Sequence, residues 1–151
     1  MIFINKFNLS SFLLVCNIID ANVSDIHPLI PGEYLVIYSD KKICITQIIS
    51  MYEKRDQWHS WLKEAKFLDS LSYLSVNICI NVYSKLWTNT CEAGGTLVGH
   101  IPAKEVLYYF NSFPFVSSQS SFFTLTEIAS EVLLHFKTSK MISNLAKIFP
   151  K

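Results

Sequence analysis

The sequence predicts a β-rich, α+β chain organised around a small antiparallel barrel. Three features carry this. From Tyr73 to Tyr83, Leu74, Val76, Ile78, Ile80 and Val82 alternate with Ser75, Asn77, Cys79 and Asn81, the period of a long strand with one apolar and one polar face. All four glycines, Gly32, Gly94, Gly95 and Gly99, fall between Pro31 and His100, so tight turns and close strand packing are expected there. Hydrophobic residues make up 50% of the 151 residues and charged residues 17%, enough apolar material for one ordinary core.

The elements follow in order. His27-Pro28-Leu29-Ile30-Pro31-Gly32 restricts the backbone twice and then frees it, so a domain is expected to begin at Pro28. Glu33 to Tyr38 is rich in aromatic and branched residues, Ser39-Asp40-Lys41-Lys42 supplies a polar turn, and Ile43 to Tyr52 returns as a second strand. That arm is apolar on both faces, through Cys44 and Ile48 and through Ile45 and Ile49, so something outside the sheet should cover it. After the charged break Glu53 to Gln57, the residues Trp58, Trp61, Leu62 and Ala65 recur at helical spacing and predict a short amphipathic helix over Trp58 to Phe67. The long strand follows. A loop is expected from Lys85 to Glu92, a fourth strand from Gly94 to Ile101, one helical turn over Pro102 to Glu105, and a short final strand from Val106 to Phe110. That order is the order of an SH3-like small barrel.

Phe113 to Ser121 has the serine-rich composition of a linker. Thr124-Leu125-Thr126-Glu127 has the spacing of a capping box, and Ile128, Ala129, Val132, Leu133 and Phe136 then share one helical face. Lys137-Thr138-Ser139 precedes a second run, Ile142, Leu145, Ala146 and Phe149, so C-terminal helices are expected. The division is an apolar extension over 1–27, a barrel over 28–111, a linker over 112–123 and an accessory helical segment over 124–151.

Charge and cysteine usage bound the function. With 13 cationic and 12 acidic residues the net charge is +1, and no global field draws the chain to nucleic acid. Cys16, Cys44, Cys79 and Cys91 lack the short paired spacings of zinc or redox sites, so free thiols, no disulfide and no metal are expected. The run Phe12 to Cys16 imitates a signal peptide poorly, because Asn17 and Asp20 interrupt it. A membrane partner is not expected either.

Gly32 to Tyr38 with Lys42 to Ile48 resembles the opening hairpin of Tudor, chromo-barrel and BAH-like modules, the SH3-like barrels of chromatin proteins. The block through Asp69 to Val76 and His100 to Tyr108 is also similar to such domains in uncharacterised fungal proteins. The resemblance covers about residues 32 to 110 and implies a fold and a nuclear binding role without catalytic residues. Readers of methylated lysine gather aromatic rings and a carboxylate around the cation; Tyr38, Tyr73, Tyr83 and Trp87 with Asp40 are the residues that would form such a rim.

Enzyme readings have less to stand on. Cys91 and His100 can be drawn as nucleophile and base without an orienting third group, His27, His59 and His135 are scattered, and Gly94-Gly95 lacks the lysine of a phosphate loop. The expectation is a non-enzymatic interaction module with a protein or peptide partner and no cofactor, nuclear or cytoplasmic. Two alternatives stay open: a structural fragment of a larger, mobile-element-derived protein, and a small secreted protein.

Overall fold

A computed structural model of the chain describes residues 22–55, 58–83, 86–89, 95–110, 112–116 and 122–148. Nine strands and one long helix are described. They are β1 (Tyr34–Ser39), β2 (Lys42–Arg55), β3 (Trp58–Leu62), β4 (Tyr73–Tyr83), β5 (Leu86–Thr88), β6 (Val98–Pro102), β7 (Val106–Tyr109), β8 (Phe115–Val116), β9 (Phe122–Leu125) and α1 (Glu127–Ile148), with single 3-10 turns at Leu68–Ser70 and Ala103–Glu105. The strands form a curled antiparallel half-barrel in the order β7-β1-β2-β4-β5-β9-β8, while β3 pairs with β2 and β6 pairs with β4.

The sheet has apolar residues on both faces because two covers exist. On the inner face, Leu35, Ile37, Ile48, Met51, Leu74, Val76, Ile101, Val106 and Tyr109 pack together with Val23 and Leu29. On the outer face, Val36, Ile45, Cys79, Trp87 and Tyr108 pack against Ala129, Val132, Leu133 and Phe136 of α1. The cover expected over the second hairpin arm is therefore the helix. β2 bends through a register shift between Ile48 and Ser50, which turns Ile49 to solvent.

Several expectations are corrected. Trp58 to Leu62 is β3, paired with Met51 to Arg55 of β2, where a helical insertion was expected; two tryptophans in five residues suit a half-covered strand as well as a helix. The loop after Tyr83 contains β5, and the serine-rich linker contains β8 and starts β9, which pair with each other. One helix runs through Lys137-Thr138-Ser139 without a break. Its cap is Thr126, not Thr124: Ala129 N–H donates to Thr126 Oγ1 at 3.2 Å and Ser130 N–H to the Thr126 carbonyl at 3.0 Å, while Thr124 belongs to β9. Ile128, placed on the buried face by its spacing, is 66% exposed.

Before β1 the chain is tied down. Leu29 and Ala65 exchange backbone hydrogen bonds at 2.8 and 3.0 Å, and Gly32 takes φ +98°, a backbone state that a Cβ would strain. Residues 1–21 and Cys91 lie outside the described residues.

Candidate functional site

β1 and β2 meet in a two-residue turn, with Ser39 opposite Lys42. Asp40 and Lys41 both take positive φ, 54° and 64°, the pattern of a type I′ hairpin turn. Asparagine followed by glycine is the usual solution; lysine there carries a Cβ clash of roughly 1–2 kcal/mol. This strained turn forms one lip of a wide cleft.

The cleft has a volume of ≈ 700 Å³ and lies at the hairpin end of the half-barrel, lined by residues of both faces of the sheet. Its apolar lining includes Ile37, Cys44, Ile78, Ile80 and Ile101, its charged lining is Asp40, Lys42 and Lys137, and His100 borders it on the β6 side. Gly99 of β6 lies flat against the floor, since a Cβ on it would meet Ile78 Cδ1 at 3.3 Å. A second cavity of ≈ 230 Å³ lies under α1 and shares Asn81, Trp87 and Lys137 with the first. Together they make a groove from the hairpin lip to the helix.

The groove's thiols follow its dielectric. Burial pushes the Cys44 thiol upward, while the ammonium groups of Lys42 and Lys137 pull it back. These cations come from a strand and from the helix, so both elements bring positive charge to one spot. Burial, and then the neighbouring Cys44, push Cys79 up to about 12. Both thiols are protonated near neutrality and are poor nucleophiles.

The residues expected to form an aromatic rim are divided by the fold. Asp40 and Trp87 line the same cleft, and Tyr38 stands beside it at the end of β1. Trp87 is only 6% exposed, packed among Cys79, Phe115 and the helix. Lys140 places its ammonium 4.2 Å from the centre of the Tyr38 ring. Tyr83 pairs in register with Leu86 at the end of β4 near this groove. Tyr73 starts that strand, opposite Pro102 and Tyr52. An eleven-residue strand separates its ends by roughly 30 Å, so Tyr73 sits far from Tyr83, in a place that meets the cleft only through His100.

That place is a cluster which the sequence reading missed. Tyr73 stacks on Tyr52 with centroids 4.6 Å apart and meets the His100 ring edge-on at 5.8 Å. Ser75 Oγ and His100 Nδ1 are 2.8 Å apart, and Ser50 Oγ donates to Tyr52 Oη at 3.0 Å. The signal that finds it is strand register, which sets Ser75 opposite both Ser50 and His100. A serine–imidazole contact has the geometry of a nucleophile and base, but here the serine is buried at 6% exposure and the tyrosine faces are spent on each other. The cluster fastens β2, β4 and β6. Among the described residues no group of three or more His, Cys, Asp and Glu side chains is placed to hold a metal ion.

No protein-family model, curated protein or solved structure matches this chain.

Proposed function

We propose that this chain is a non-enzymatic interaction module that holds an extended segment of a partner protein in the groove between the β1–β2 turn and α1. The observation that carries this is the shape of the groove: an apolar floor of ≈ 700 Å³ that continues into the ≈ 230 Å³ cavity under the helix. Such a run suits a chain with successive side chains better than one compact ligand. β6 forms one wall and among the described residues pairs with β4 alone, and main-chain hydrogen bonds to its second edge are how this proposal has a bound strand held.

The resemblance to chromatin barrels extends the proposal to a nuclear setting, with the cytoplasm as the alternative. No described helix is long and apolar enough to cross a membrane. A methyl-lysine cage is the less favoured form of the proposal. The chain's own Lys140 already stands over Tyr38, and Trp87 presents little of its ring face.

The test is selection of random dodecapeptides displayed on phage against the protein, followed by titration of the winners. Ile80, half-buried on the floor, is replaced by Gln, with unchanged thermal melting required. Selected peptides should bind the Ile80→Gln variant about tenfold more weakly. Peptides that bind both proteins alike, or no enrichment at all, would remove the groove from the account.

A further inference from the structure

Resting on that groove reading, the charge at its rim points to the chemistry of the segment: we infer that the partner segment is acidic, with carboxylates flanking an apolar anchor. Lys42 from the hairpin lip and Lys137 from α1 line the cleft against the single carboxylate of Asp40, Lys41 precedes Lys42 in the turn, and Lys140 stands one turn further along α1 over Tyr38. Lys41, Lys42 and Lys137 are all exposed. Among the described residues lining the two cavities, Asp40 is the sole acid.

The arrangement is more specific than scattered surface lysines. Lys42 and Lys137 belong to elements far apart in sequence, yet both act on the Cys44 thiol in the floor, so their charges converge over the apolar lining. An extended peptide presents residues two apart on one face. An apolar side chain seated between Ile78 and Ile80 would therefore carry carboxylates at its second neighbours toward the lysines on either side. The turn supplies an independent indication. Lys41 occupies a left-handed position, φ 64°, where glycine would be unstrained, and strain of this kind concentrates at sites that bind. A cationic or neutral segment would leave the ammonium groups of Lys42 and Lys137 without a carboxylate partner from the segment.

The experiment uses the dodecapeptides selected in the preceding test, so that the two readings fail separately. Winners should be enriched in Asp and Glu around a Leu, Ile or Phe. A synthetic copy with every Asp and Glu changed to Asn and Gln should bind at least about tenfold more weakly, and affinity for the parent peptide should fall as salt is raised from 50 to 300 mM. Lys137→Gln should lose about two- to fivefold. Lys41→Gly is the sharper variant: it should raise the melting temperature by relieving the turn and still weaken the acidic peptide by a similar factor. Because stability and affinity move in opposite directions, lost folding cannot imitate the result. Groove-dependent peptides that are neutral or basic, or that ignore both lysine changes, would overturn the acidic assignment while leaving the groove in place. Absence of groove-dependent peptides would overturn both.

Discussion

The side chain of Asn22 closes a two-bond ring on the backbone of Tyr109: Nδ2 donates to the Tyr109 carbonyl at 2.7 Å, and Oδ1 accepts from its amide at 2.8 Å. One residue thus substitutes for a neighbouring strand at the outer edge of β7. The left-handed backbone of Asn22, φ 62°, suits asparagine better than most side chains. Val23 follows directly into the inner core, His27 stacks on the Tyr109 ring at 4.1 Å, and Tyr109 Oη donates to the Pro28 carbonyl at 2.8 Å. The segment before the barrel is part of its wall.

Asn22→Ala should accordingly cost about 1–3 kcal/mol in urea denaturation, because two bonds are lost and a bulkier backbone penalty is added. Asn22→Asp should cost at least as much, since a carboxylate oxygen would face the Tyr109 carbonyl. A change below about 0.5 kcal/mol would show that the clamp carries no stability. Asn22 also begins an Asn-Val-Ser acceptor pattern, and both its polar atoms are engaged here, so a glycan at that position is expected to disrupt the clamp.

The helix cap gives a second prediction. Thr126→Ala should destabilise the fold by about 0.5–2 kcal/mol and Thr124→Ala by clearly less. Because α1 shares a core with Val36, Ile45 and Tyr108, amide exchange in β1 and β2 should rise along with that of the helix. Exchange confined to the helix would make it a separate unit.

The inner face ranks the β4 side chains. Leu74 is fully buried and Ile78 is half-buried at the cleft, so Leu74→Ala should cost about 2–5 kcal/mol and Ile78→Ala about 1–2 kcal/mol. Equal costs would mean that the cleft is closed in solution.

Alkaline pH should weaken the fold. Folding raises Cys79 from 9.0 to about 12 and Tyr109, through burial first and the Glu33 charge second, from 10.0 to about 12. Between about pH 9 and 12 the unfolded chain sheds protons that the folded chain keeps, so stability is full below pH 9 and declines as pH rises through this window. Urea midpoints should fall from pH 8 to pH 10.5, and fall less in Cys79→Val. A flat profile would contradict the burial of both groups.

How far these features are legible in the sequence depends on whether local pattern or long-range docking decides them. Tyr34 to Tyr52 and Tyr73 to Tyr83 are readable as strands because alternation and a polar turn are local signals. Trp58 to Leu62 is not, since five residues with Trp58, Trp61 and Leu62 fit one helical stripe as well as a strand with Trp61 outward and Leu62 inward. The alternation in β4 also overstates a one-sided core: Cys79 and Asn77 are buried because α1 and neighbouring chain cover the other face, which no strand period announces. The groove is the least legible feature. Its cations at Lys42 and Lys137 lie 95 positions apart in the sequence, and only the docking of α1 brings them over Cys44; the same docking buries Trp87, so aromatic content alone suggested a rim that Tyr73 cannot join.

The most direct measurement is chemical-shift mapping of the 15N-labelled protein titrated with a selected acidic peptide. The amides of Asp40, Lys42, Cys44, Ile80, Gly99 and Lys137 should shift in a saturable way, while those of Ser50, Tyr52 and Tyr73 stay in place. Shifts concentrated on Ser50, Tyr52 and Tyr73, with the groove amides unmoved, would contradict the account.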